Sequence, residues 1–195
     1  MAFEFVVEDG SQVAGSNSYV DVQTATDYLT ANIHVSATWN ALDLATQQAL
    51  LVWASRYLDQ RARWNGVPTS KYQSMQDSTN FVSTWAVPAA STVTAQSMRW
   101  PRHGARDYDN QIIEDNTIPQ QLKEAVVEMA RYLIVNDRST ERPQDGLTEL
   151  KAGALTLRFL QGYSLPIVPS EISYIIRGLG VVASGRENFG QITRA

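Results

Sequence analysis

Arg99-Trp100-Pro101-Arg102-His103-Gly104-Ala105-Arg106 is the stretch whose residue types come nearest to chemistry. Arginines interleaved with an aromatic ring suit single-stranded nucleic acid, with guanidinium groups on phosphates and the ring stacked on a base. Arg99, Arg102 and Arg106 are then the candidate contacts, and Trp100 the platform. The same residues also have a structural reading. Trp100 would plug the core, while the arginines lie over aromatic rings or pair with carboxylates downstream. Asp107, Asp109, Glu114 and Asp115 largely cancel the cluster's charge, which favours that structural reading. His103 lies near Asp107, so a base and an orienting carboxylate could pair there. No Gly-x-Ser-x-Gly elbow accompanies it, and a surface-loop histidine is the simpler account. The four carboxylates look like a loose calcium loop, but the required glycine is missing and the last spacing is wrong. Gly178-Leu179-Gly180 does not open a helix after a strand, so no phosphate-cradling loop is expected. The residues therefore predict no enzyme, no metal and no cofactor.

Composition narrows the classes further. A chain of 195 residues fits one domain with a real core. It is 44% hydrophobic and only 18% charged, a lightly charged surface of the sort that meets a partner. The net charge of −4 argues against coating nucleic acid or anionic membrane wholesale. Without cysteine, disulfide scaffolds and thiolate chemistry are excluded. No apolar run approaches a membrane span, and MAFEFVVEDGS lacks the pattern of a secretory signal, so a cytosolic origin is expected.

The elements that would position these residues begin with Asp43 to Gly66. Asp43 is an N-cap, and Leu50, Trp53 and Tyr57 form one apolar line beside Leu51, Ala54, Leu58 and Ala62. So wide a face predicts a central helix with neighbours on more than one side. Before it, Phe3, Phe5 and Val7 alternate as a short strand, and Asp21 caps a helix to about Ala31. His34 and Trp39 fall in a linker. Residues 67–98 are rich in Ser, Thr, Gln and Ala. Strands over 81–87 and 91–95 about Pro88 predict a hairpin excursion, with Phe81 and Trp85 as interface anchors. Ile118-Pro119 opens a second long helix with Leu122, Val126, Met129 and Leu133 inside. Gly153 to Phe159 alternates like a strand, and Ser170 caps a short helix holding Ile172, Ile175 and Ile176. Residues 179–195 read as a flexible arm carrying Phe189, with those isoleucines as its anchor.

Several motifs resemble, in order as well as in type, those of a family of tailed-phage proteins. They are Val7-Glu8-Asp9-Gly10, Ser16-Asn17-Ser18-Tyr19-Val20, Asp27-Tyr28-Leu29, Tyr57-Leu58-Asp59, Trp100-Pro101-Arg102 and Ile118-Pro119. Two labels attach to such sequences: head-to-tail connector (adaptor, or head completion) and DnaT-like single-stranded-DNA-binding protein. The resemblance covers about residues 5 to 138, and 67–98 departs from it, since relatives commonly have a shorter loop there. Its first label implies a ring, a dodecamer if it matches the portal. Its partners would be the portal protein, a tail or neck protein and the genomic duplex DNA passing through. The place would be the neck of the virion, assembled in the host cytoplasm. Acidity favours that label, because a channel for sliding duplex should not be sticky.

The expectation is thus a mainly α protein: a bundle of three or four helices with short strands or a hairpin and an extended C-terminal arm. Residues 1–165 form the helical domain and 166–195 the short helix and arm. Trp53, Tyr57, Leu58, Trp100, Met129 and Leu133 are its predicted core. The function expected is that of a structural adaptor, and single-stranded DNA binding is the alternative.

Overall fold

The computed structural model describes residues 3–79, 94–135, 149–152, 155–158 and 168–182. Asp21 caps α1 (Val22–Thr30) by accepting the Thr24 amide at 2.8 Å. The predicted linker holds a short helix, α2 (Ser36–Asn40), which folds Trp39 into the interior. There its indole donates to Thr26 Oγ1 at 2.9 Å. Asp43 caps α3 (Leu44–Arg61) through the Thr46 amide at 2.7 Å, as the sequence predicts. β1 (Ala62–Trp64), β2 (Val67–Pro68) and α4 (Thr69–Thr79) follow. β3 (Arg102–His103) then leads to α5 (Gln120–Val135), and β4 (Glu149–Ala152), β5 (Leu155–Arg158), α6 (Ser170–Ile175) and β6 (Gly180–Val182) complete the order.

The mainly α fold is the one the chain adopts. α3 lies against α5, α1 touches both, and α6 packs on α5. Leu51, Ala54 and Leu58 of α3 meet Leu122, Ala125, Val126, Met129 and Leu133 of α5 in one buried cluster with Tyr19, Leu29 and Trp100. Among the described residues the strands pair in three two-stranded antiparallel ladders: β1 with β6, β2 with β3, and β4 with β5. The predicted strand at residues 3–7 is reduced to a single bridge between Val7 and Ser18.

Four further expectations are corrected. Trp53 is not core but 39% exposed. At about 100° per residue it stands roughly 200° round from Leu51, so it faces away from the stripe that meets α5. The adjacency of two apolar lines in the sequence made one broad face out of what is a buried stripe and an outward tryptophan. Residues 69–79 form a helix and not the start of a hairpin. α4 has no apolar stripe to announce it, and among the residues whose burial is described, Thr69 and Ser70 at its first turn are the buried ones. Ile172 and Ile176 are fully buried on the bundle, so they are core and not an interface anchor; Ile175 is half-buried.

The fourth correction concerns the start of the arm. Leu179 is buried, and Gly180–Val182 pairs with Ala62–Trp64 in the register Ala62↔Val182, Arg63↔Val181 and Trp64↔Gly180. The Asn65 amide donates to the Leu179 carbonyl at 2.8 Å. Gly178, at φ +97°, makes the turn before it, and a Cβ there would meet the Tyr108 backbone nitrogen at 2.5 Å. The strand that receives this segment is created only when α3 ends, so the tail's own sequence does not show its partner. Phe81, Trp85 and Phe189, the hairpin strands and residues 183–195 lie outside the described residues.

Candidate nucleic-acid interface

Asp59, on the last turn of α3, is the meeting point of three of the motifs quoted above. Its carboxylate accepts from the Tyr19 hydroxyl at 2.8 Å, the Trp64 indole at 3.2 Å and the Arg99 amide at 3.2 Å. Tyr19 in turn accepts the Trp100 amide at 3.1 Å. Ser-Tyr, Tyr-Leu-Asp and Trp-Pro-Arg are therefore one hydrogen-bonded hub. Removal from solvent pushes the Asp59 carboxyl up to about 6, against the donors from Tyr19, Arg99 and Trp64, which pull it down. Tyr19 is driven well above its ordinary value by burial and by the adjacent Asp59. A neighbouring loop is closed the same way: Glu8 is fully buried and accepts from the Gly10 and Gln12 amides and from the Ser16 hydroxyl, at 2.9–3.0 Å.

This hub consumes much of the predicted DNA-contact cluster. Trp100 is fully buried, edge-on to Trp64 with centroids 6.0 Å apart, and its peptide bond to Pro101 is cis. Arg102 is buried too. Its guanidinium donates to the carbonyls of Asn65, Arg99 and Gly66 at 2.6, 3.0 and 2.6 Å, which ties β3 to the turn after α3. Trp100 and Arg102 are thus withdrawn from any ligand, because the interior holds them first. Arg106 is exposed and donates to the Asn110 carbonyl at 2.8 Å. His103 finds a carboxylate, but it is Asp115 at 2.6 Å and not Asp107, with Tyr72 of α4 stacked 3.4 Å from the imidazole. No nucleophile is bonded to this pair among the described residues. Likewise, no group of acidic or imidazole ligands able to hold a metal occurs among them.

Arg99 is the member of the cluster left facing solvent beside a cavity. A cleft of about 520 Å³ is lined by Arg56 and Asp59 of α3, Ser70 and Lys71 of α4, and Gln96 and Arg99 of the segment before β3. Gln96 braces it, donating to the Met98 and Pro101 carbonyls and accepting from the Ser70 amide. Three cations stand there against one carboxylate, in a chain whose net charge is −4. None of the three forms an ion pair among the described residues. One turn along α3, the exposed Trp53 ring has the Arg56 guanidinium 5.9 Å from its centre. Trp53, Arg56 and Gln60 recur at i, i+3 and i+7, which puts ring, cation and amide on one outward stripe leading to the cleft.

Residues 3–89 and 78–195 match the model of the family described as "Putative DnaT-like ssDNA binding protein". The chain belongs to this family. Of the two labels that the resemblance implied, the match carries the DNA-binding one, the alternative in the sequence reading, and not the connector one. The two matched stretches overlap at 78–89 and so take in residues 67–98, where the sequence was expected to depart from the family pattern. No curated protein and no solved structure matches the chain. Around the cleft and the stripe that leads to it stand Trp53, Arg56 and Lys71, which sequence reasoning did not name as contacts, together with Arg99, which it named. The available signal was the Trp53–Arg56 spacing on a helix, masked by the assignment of Trp53 to the core.

Proposed function

We propose that the protein binds single-stranded DNA, stacking a base on Trp53 while Arg56, Lys71 and Arg99 engage the adjoining phosphates. One observation carries this reading: an exposed tryptophan with an arginine over its ring, one turn from a cleft holding three cations and one carboxylate. The family match supports it. Base stacking on an aromatic ring is worth about 1–3 kcal/mol, so Trp53→Ala should weaken binding of an oligo(dT) by about 5- to 150-fold. Arg56→Ala and Arg99→Ala should each lower the slope of log affinity against log salt by about 0.7. Anisotropy titrations over a range of salt concentrations read both effects. Affinity confined to about 10⁻⁴–10⁻⁶ M at physiological salt, and unmoved by Trp53→Ala, would sink the proposal.

A second reading is the head-to-tail adaptor, a ring between portal and tail through which genomic duplex passes. It is favoured by the burial of Trp100 and Arg102, which makes the shared Trp-Pro-Arg motif part of a scaffold and not of a binding groove. On this reading the chain assembles with itself, as a dodecamer if it follows the portal, meets portal and neck proteins, and stays in the virion. Native mass spectrometry and microscopy of purified particles test it. A protein that is monomeric at every concentration and missing from particles would exclude it.

A further inference from the structure

Asp59 is the one carboxylate in the cationic cleft, and its surroundings are unusual for a surface acid. From the N-terminal loop it faces the Tyr19 hydroxyl, and from β1 the Trp64 indole. The segment before β3 brings the Arg99 amide and side chain, with Arg102 behind them. Its own helix contributes Arg56 to the same cleft, and α4 contributes Lys71. A phosphate drawn in by these cations would come to rest near Asp59, and two negative charges in so confined a space repel each other.

We propose that the cleft captures a phosphodiester anion together with a proton, Asp59 becoming a carboxylic acid as Arg56, Lys71 and Arg99 engage the phosphate. The proton comes from solvent and no bond to the ligand forms. The neutral acid still accepts from the Tyr19, Trp64 and Arg99 donors, and its added proton can point into the cleft toward a phosphate oxygen. Its partners as a carboxylate are all donors, so the charged form is satisfied as well. Asp59 sits at about 6 without ligand, which leaves it ionised at neutral pH and within reach of an approaching anion's field. Phosphodiester capture rests on the DNA-binding reading for its ligand, whereas capture of any phosphate with a proton does not.

The test is calorimetry on the full chain, repeated in two buffers of different ionisation heat, with oligo(dT) in one arm and cyclic trimetaphosphate in the other, since the phosphates of both ligands stay fully ionised over the pH range used. Proton uptake is expected in both arms, and oligo(dT) affinity should rise by at least about fivefold between pH 7.5 and pH 5.5 at fixed ionic strength. Asp59→Asn should abolish the uptake and flatten the profile. His103→Gln should leave both in place, since His103 pairs with Asp115 outside the cleft. If Asp59→Asn fails to fold, the wild type alone can still overturn the coupling, by binding without uptake. Oligo(dT) binding without proton uptake overturns the coupling and leaves the DNA reading standing. Proton-linked trimetaphosphate binding with no oligo(dT) binding keeps the coupling and removes the DNA reading. Binding of neither overturns both.

Discussion

Trp100 illustrates how one side chain can have the composition of a ligand contact and the position of a core residue. It has no exposed surface, and its indole N–H meets no acceptor among the described residues. Trp100→Ala should therefore cost about 3–5 kcal/mol in urea unfolding, as other large core truncations do. Trp100→Phe should cost much less, about 1–2 kcal/mol, because it keeps most of the ring's packing, and like Ala it removes a buried donor that has no partner. Equal losses in the two variants would mean that a phenyl ring recovers none of the packing at this site. Asp59 gives a residue-scale prediction in pH. Its carboxyl lies at about 6 in the folded chain against 3.8 ordinarily, raised first by burial. Between those values the folded state holds the extra proton, so stability falls as pH rises through the window and is greatest below it. The whole effect is at most about 3 kcal/mol. Urea midpoints should rise as pH falls from 7.5 to 5, and Asp59→Asn should remove most of that rise.

At the scale of elements, the informative case is β6. A tail rich in glycine predicts a segment that can be removed without harm. Leu179 is nonetheless buried, and Gly180–Val182 completes the ladder with β1. Ending the chain after Gly178 should therefore lower stability by roughly 3 kcal/mol or more, through the lost leucine and the unpaired strand. Leu179→Ala alone should account for about 2 kcal/mol or more of this. Thermal unfolding of the truncated chain measures it, and an unchanged midpoint would return the segment to the status of a free arm. α4 makes the complementary point. A helix with no apolar stripe is held at its first turn by Thr69, whose hydroxyl donates to the Asp115 carbonyl at 2.8 Å, and farther on by the Tyr72 stack on His103.

For the whole molecule, charge and shape pull in different directions. A net charge of −4 repels nucleic acid at long range, while the cleft beside α3 gathers three cations locally. Binding that depends on a base reaching Trp53 should discriminate against duplex, where bases are already stacked. Oligo(dT) should outcompete a duplex of equal length by about tenfold or more at moderate salt. Equal affinity for both forms would mean that backbone charge alone is recognised. A ring adaptor predicts neither preference, and would show self-association instead.

The helical fold was legible in the sequence because capping and periodicity are local. Asp21, Asp43 and Pro119 start helices where they stand, and Leu122, Val126, Met129 and Leu133 recur at the spacing that one buried face of α5 demands. Tyr57 and Leu58 were core on the same grounds, Trp100 because the carboxylates downstream cancel its neighbours' charge, and all three are buried. Tertiary structure alone decided which aromatic turned outward on α3, because that depends on where α5 and α1 lie and not on the residue's hydrophobicity. It also decided that Arg102 would satisfy three carbonyls while Arg99, three residues earlier, would face a cleft. Asp59 became the hub of the site for the same reason. Its partners come from residues 19, 64 and 99, up to 40 positions away, and only the packed chain brings those donors to one carboxylate.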